Sequence, residues 1–193
     1  MKNNWQKAKE ILEKDGVVIL PTDTLYGIVA SVKSKKAVEK IYKIKGRSKN
    51  KPLIVLINSY KNLKMFGINI NKEQAKNFSK FWPGKVSVEL SHSSNKFSHL
   101  RGGHNYNGFR MIGPKNKNLY DLIDKVGPIV APSANKQGER PASKIAEAKR
   151  YFGNEIDLYI NGGRKESKPS TLIKYQNNKF IILRQGEVKI SQV

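Results

Sequence analysis

The sequence predicts an α/β fold: a single domain over residues 1–193, with a twisted mixed β-sheet and flanking helices. Three observations carry this. Short apolar runs at 17–20 (VVIL), 53–57 (LIVLI) and 128–131 (PIVA) read as buried strands. Segments of helical periodicity alternate with them. The chain then closes on STLIKY and KFIILR, two strand-like runs joined by Gln176-Asn177-Asn178, which read as a hairpin. At 193 residues, one substantial core is expected, two small lobes being the alternative. No repeat appears and no linker divides the chain.

In chain order, Asn4 is the expected cap of a helix running through Asp15, with Trp5, Ala8, Ile11 and Leu12 on one face and Gly16 as its stop. The first strand follows. Ser34 caps a second helix with Ala37, Val38, Ile41 and Tyr42 inward, ending near Gly46. After the strand at 53–57 come short helices around 60–66 and 72–80, then a turn at Pro83-Gly84. Residues 86–90 (VSVEL) alternate like a half-exposed strand. Residues 91–108 form one long polar loop, the kind that is usually functional or mobile. FRMI (109–112) is a short strand, and Leu119, Leu122, Ile123 and Val126 mark a helix closed by Gly127-Pro128. Beyond the strand at 128–131, Ser143 caps a helix to about Phe152, and DLYI (157–160) is a strand.

The chain has no cysteine, which excludes disulfides, thiolate metal sites and cysteine nucleophiles. Its first residues carry no apolar signal region, and no run of about 18 apolar residues occurs, so no membrane span and a cytoplasmic location are expected. The formal net charge is +22. That charge suits a polyanionic partner such as nucleic acid. The 30 Lys, 7 Arg and 18 Asn are also what a compositional bias would produce. Where Lys is the default cation, an Arg is the more informative residue, because only its planar guanidinium makes paired parallel hydrogen bonds.

Ligands of α/β sheets collect on loops leaving strand ends. Here PTDTLYG, PSANKQGERP and INGGRKESKPS leave apolar strands, and KIKGRSKNKP precedes one. Lys43 and Lys45 in the last of these suit a helix C-terminus. Arg47 and Lys51 lie beyond it, between Gly46 and Pro52, and suit a phosphate site. Neither GxxxxGK[ST], GxGxxG nor GxSxG occurs. Ser133 and Asn135 fit simple turn chemistry, and so does Asp23. His92, His99 and His104 do not match metal-ligand spacing, and no acidic pair suggests glycosidase chemistry.

PTDTLYGIVA, KIKGRSKNKPLIVLI, FWPGKVSVEL, FRMIGPK, GPIVAPSANKQGERPAS, INGG, PSTLI and IILRQGEV, in this order, resemble the YrdC/TsaC family, the L-threonylcarbamoyladenylate synthases. The resemblance is to the short form, without an extra C-terminal domain. It implies a twisted α/β sheet bordering a basic concave cleft. It also implies a nucleotidyltransferase joining L-threonine, bicarbonate and ATP into threonylcarbamoyl-AMP, with release of pyrophosphate. Mg²⁺ would arrive with ATP, no protein metal site being implied. A transferase then moves the threonylcarbamoyl group to adenosine 37 of tRNA, so tRNA or that machinery is the implied partner.

Carried over by motif, Arg47, Lys51, Ser133, Asn135 and Arg184 correspond to ATP-binding positions, and Thr24, Arg110, Ala131 and Ser170 to threonine-binding ones. Tyr106 corresponds to the ATP side, and Asp23 to an outer-sphere aid to the metal. No covalent nucleophile is implied. The chain departs from the family pattern at Lys85 and Ser87, where relatives often have PGPxT. It departs again at GPKNK after the arginine strand, and at Leu56, a histidine in some longer members. The alternative is an RNA-binding protein of the same fold without synthase activity. The sequence shows no RNP-type aromatic cluster and no KH loop.

Overall fold

Strands buried on both faces need helices above and below the sheet, and the chain supplies them. A computed structural model describes residues 2–177 and 179–191. Asn178, in the expected hairpin connection, lies outside the described residues, as do Met1, Gln192 and Val193. The helices are α1 (Lys2–Glu13), α2 (Lys35–Lys45), α3 (Lys72–Phe78), α4 (Lys117–Val126) and α5 (Ile145–Phe152). The strands are β1 (Val18–Pro21), β2 (Tyr26–Ser31), β3 (Ile54–Ile57), β4 (Val86–Ser91), β5 (Tyr106–Met111), β6 (Ile129–Val130), β7 (Leu158–Tyr159), β8 (Thr171–Gln176) and β9 (Lys179–Arg184). Residues 60–66 and 95–100 are 3-10 turns.

The strands form one mixed sheet in the order β7-β1-β2-β6-β3-β5-β4-β8-β9. Pairs β1–β7, β3–β5 and β4–β8 are parallel, and the others antiparallel. Side chains alternate across it. Ile19, Tyr26, Ile28, Val55, Ile57 and Phe109 enter one core, with Val38 and Ile41 of α2, Phe78 of α3 and Phe152 of α5. Val18, Leu20, Val29, Leu56 and Ile129 enter a second, covered by Ala8 and Leu12 of α1 and Leu119, Leu122 and Ile123 of α4. Each fully buried aliphatic side chain contributes roughly 1.5–3 kcal/mol against exposure, before the entropy of ordering it is subtracted.

Several expected boundaries move. Helix α1 begins at Lys2, so Asn4 lies inside it rather than capping it. The left-handed residue after it is Asp15 (φ 60°), not Gly16. Gly16 is needed for another reason: a Cβ there would collide with Ile11. The α2 prediction holds in detail: the Ser34 hydroxyl accepts from Ala37 N at 3.1 Å, and Gly46 is left-handed at φ 59°. Ser143 precedes α5 by two residues; its N–H donates to Glu147 Oε2 at 2.7 Å. Strand β4 is mostly buried rather than half-exposed, because β5 and β8 flank it and Ser87 is fully covered.

The long loop is shorter and more structured than expected. Strand β5 starts at Tyr106, and the preceding segment folds over the residues that follow α2. Leu53 N donates to Leu100 O, Asn107 Nδ2 to the carbonyls of Leu53 and Leu100, and His104 Nε2 bonds Asn50 O. At Gly102 a Cβ would stand 2.6 Å from Lys49 O. The loop is thus a brace that fixes the path of residues 47–53.

Candidate active site

The interrupted run VVILPTDTLYGIVA is a β-hairpin. Strands β1 and β2 pair antiparallel, with Pro21 opposite Tyr26, and Thr22-Asp23-Thr24-Leu25 make the turn. The turn closes on itself: Thr22 N and Thr22 Oγ1 both donate to Leu25 O, and Thr24 N donates to Thr22 Oγ1. Thr22 and Thr24 are 4% and 3% exposed, so this turn faces protein rather than bulk water.

Chain that leaves β6 runs beside it. Ile28 N donates to Pro132 O and Ala134 N to Tyr26 O, which lays Ala131, Pro132 and Ser133 along the start of β2. Gly27 sits opposite Ser133; a Cβ on Gly27 would approach Thr22 Cγ2 to 3.1 Å. Ser133 Oγ donates to Asn135 Oδ1, and Asn135 Nδ2 donates to the carbonyls of Lys136 and Glu139. Underneath, the Lys45 ammonium donates to the carbonyls of Ser133 and Asn135. Burial, and then the neighbouring Arg47 charge, lower its pKa to about 7.

A cavity of about 110 Å³ opens between these segments. Its wall takes Thr22, Thr24 and Gly27 from the hairpin, Ala131 and Ser133 beyond β6, Ser170 before β8, and three arginines: Arg47, Arg110 and Arg184. Arg110 lies between Phe109 and Met111, which both enter the first core, so it emerges on the opposite face of the sheet. Its Nη2 lies 3.0 Å from Asp23 Oδ1. The contact is an ion pair without hydrogen-bond alignment: Asp23 Oδ1 and Arg110 Nε are both buried with no hydrogen-bond partner. Arg47 donates from Nη2 to Pro52 O at 3.0 Å, and its buried Nε likewise lacks a partner. Arg184 donates from Nη2 to Ser170 O at 2.8 Å. Burial, then the Arg110 and Arg47 charges, lower the Arg184 pKa. Three guanidinium groups held together in this way are suited to anions.

Seven of the nine positions expected from sequence line this cavity: Thr24, Arg47, Arg110, Ala131, Ser133, Ser170 and Arg184. Two do not. Lys51 is exposed, with its carbonyl accepting from Tyr42 Oη at 2.9 Å, and Asn135 organises the loop behind Ser133. Tyr106 lies at the start of β5, against the His104 ring, and is not among the lining residues. Asp23 contacts Arg110 and does not line the cavity. The departures from the family pattern acquire partners: Ser87 Oγ lies 2.9 Å from Ser170 Oγ, and Lys85 Nζ 3.0 Å from Glu187 Oε1.

Sequence reasoning missed Lys45, treating it as a helix-end cation. A signal was available, since position 45 continues the inward stripe of Val38, Ile41 and Tyr42. It also missed Tyr26, whose hydroxyl donates to Gly163 O and accepts from Gly162 N, tying the INGG turn to the hairpin. No cluster of three His, Cys, Asp or Glu side chains able to hold a metal occurs among the described residues. None of their helices is long and apolar enough to cross a membrane.

A family model described as "Telomere recombination", covering Sua5, YciO and YrdC proteins, matches residues 10–186. A Methanocaldococcus jannaschii protein is 31% identical over 193 residues, covering 97% of this chain and 90% of its own length. The threonylcarbamoyl-AMP synthase of Bacillus subtilis is 31% identical over 191 residues, 97% of this chain and 54% of the relative. The crystal structure of Pyrococcus abyssi Sua5 complexed with L-threonine superposes with a TM-score of 0.85 at 29% identity, covering 94% of this chain and 54% of that one. The chain thus spans about half the length of the last two.

Proposed function

The chain belongs to the Sua5/YciO/YrdC family, and we propose that its cavity makes threonylcarbamoyl-AMP from L-threonine, bicarbonate and ATP, releasing pyrophosphate. The observation that carries the reading is the convergence of Arg47, Arg110 and Arg184 with Thr24, Ser133 and Ser170 on one small cavity. The synthase name of the B. subtilis relative and the L-threonine in the P. abyssi complex support it.

In this reading Arg110, Thr24, Ala131 and Ser170 receive threonine, its carboxylate against Arg110 and its hydroxyl near Thr24. Arg47, Ser133 and Arg184 face the nucleotide, and Lys45 and Asn135 hold the Ser133 loop in place. Threonine's neutral amine condenses with bicarbonate, losing water, to a carbamate. A carbamate oxygen then forms the new bond to the α-phosphorus. The bond from that phosphorus to the bridging oxygen breaks, and pyrophosphate leaves with the electron pair. This is nucleotidyl transfer without a covalent enzyme intermediate. The chain contributes positioning and charge stabilisation, which supply most of the catalysis in phosphoryl-type transfers. Mg²⁺ enters the reading only as a partner of ATP, because no carboxylate lines the cavity. The product, a mixed anhydride, suits transfer to tRNA adenosine, a role consistent with a cytoplasmic location.

Incubation with Mg²⁺, ATP, L-threonine and bicarbonate should release pyrophosphate and form threonylcarbamoyl-AMP, with no RNA added. Omitting threonine or bicarbonate should abolish release. Pyrophosphate release indifferent to threonine would sink the assignment.

A further inference from the structure

We propose that Asp23 is a positioning residue for the substrate threonine: packed behind the cavity wall, its carboxylate orients the Arg110 guanidinium that receives the threonine carboxylate. The inference rests on the synthase reading and adds a residue to it. Along the hairpin turn, Thr22 and Thr24 line the cavity and Asp23 between them does not. Its Oδ1 instead lies 3.0 Å from Arg110 Nη2, with the two side chains 6% and 5% exposed. Arg110 projects from β5, which β3 and β4 flank. With its side chain only 5% exposed, a cation in that position needs a fixed counter-charge. Asp23 is the one carboxylate within ion-pair distance of it among the described residues.

The pair differs from a closed structural salt bridge in one respect. Its angles leave Arg110 Nε buried without a hydrogen-bond partner. Asp23 thus engages Nη2, while Arg110 still lines the cavity where a ligand carboxylate would meet its guanidinium. A charge-only role and a positioning role make opposite predictions. If Asp23 merely offsets positive charge, Asp23→Asn makes the cavity more cationic and both threonine and ATP bind more tightly. If Asp23 orients Arg110, threonine binding weakens while ATP, facing Arg47 and Arg184, is spared.

The test is threonine- and bicarbonate-dependent pyrophosphate release by the full chain, with the KM of each substrate measured separately. Asp23→Asn is expected to raise the threonine KM about tenfold, the scale of one charged hydrogen bond. The ATP KM should stay or fall, and kcat at saturating threonine should hold within about twofold. Added to Arg110→Lys, the substitution should cause no further loss, since both remove the same orientation. A threonine KM that is unchanged, that falls with the ATP KM, or that rises additively in the double variant overturns the inference. Should Asp23→Asn fail to fold, Asp23→Glu carries the test, because it keeps the charge and moves the carboxylate by one methylene. A raised threonine KM then supports the inference and an unchanged one overturns it. A wild-type chain without threonine-dependent release overturns the synthase reading and this inference with it. An active wild type with an indifferent Asp23→Asn overturns only the inference.

Discussion

The Lys45 ammonium donates a hydrogen bond to the carbonyl of Ser133 across 88 residues of sequence, and a second one to Asn135. Lys45 is 3% exposed, and these two carbonyls are the partners of its buried ammonium. Lys45→Met keeps most of the volume and removes both donors. The Ser133 carbonyl keeps the Asn135 N–H as a donor at 3.0 Å, so the loss falls mainly on the Asn135 carbonyl and costs about 1–3 kcal/mol. The variant should therefore melt at a lower temperature and show a raised ATP KM, because the Ser133 loop loses its tether. An unaltered ATP KM in a folded Lys45→Met protein would show that the loop is held by its other bonds alone.

His92 gives a stability prediction with a defined sign. Its Nε2 lies 2.8 Å from Asn107 Oδ1, its Nδ1 is buried without a partner, and burial holds its pKa below the usual histidine value. Arg101, whose Nη1 donates to the His92 carbonyl, opposes protonation further. The unfolded chain takes up a proton near pH roughly 6.5, where the folded chain does not. The unfolded state then binds more protons, so stability is full above that pH and is lost as pH falls toward the folded pKa. His99, which bonds Val32 O, is shifted the same way by burial. Thermal melts between neutral pH and pH of about 5 should show a declining midpoint, less steep in His92→Gln. A midpoint flat over that range would contradict the assignment.

The strands buried on both faces were legible because unbroken apolar runs are their direct signature, and Ser34 and Gly46 bound α2 as local chemistry dictates. Residues 91–108 were not. Their polar composition reads as open loop, yet their backbone and amide groups are used by residues 47–53, a pairing no local pattern encodes. Of the cavity arginines, Arg47 was legible from its place between Gly46 and Pro52, whereas Arg110 and Arg184 were legible only through the family resemblance of FRMI and ILRQG. Asp23 was visible as an oddity in an apolar run, but its partner lies 87 residues on, and only strand order brings them together.

Gly186 tests the wall near Ser170. A Cβ there would stand 2.6 Å from Ser170 C and 2.7 Å from Ser170 O, and it would also collide with Pro169 O. These are backbone atoms, so the segment entering β8 must shift. Gly186→Ala should cost about 1–3 kcal/mol, as overpacking does. That lowers the melting midpoint by roughly 2–4 °C per kcal/mol for a chain of this size. Because Ser170 moves, the threonine KM should rise as well. Wild-type stability in this variant would mean that the segment yields freely.

Arg110 and Arg47 form the final pair. Both have a buried Nε without a partner, and both line the cavity, but their settings differ. Arg110 is buried against Asp23; Arg47 is half-buried and anchored to Pro52 O. Lys at either position keeps the charge and loses the planar array of donors. Arg110→Lys is expected to lose roughly 1.5–3 kcal/mol of threonine recognition, the range for hydrogen bonds to charged groups. That is about ten- to a hundredfold in kcat/KM for threonine. Its ATP affinity measured without threonine should barely change, because Arg47 and Arg184 remain. Arg47→Lys should show the reverse pattern. Titrating both variants with each substrate decides the division of the cavity. If Arg110→Lys weakens ATP as much as threonine, the two-sided assignment is wrong even though the family is right.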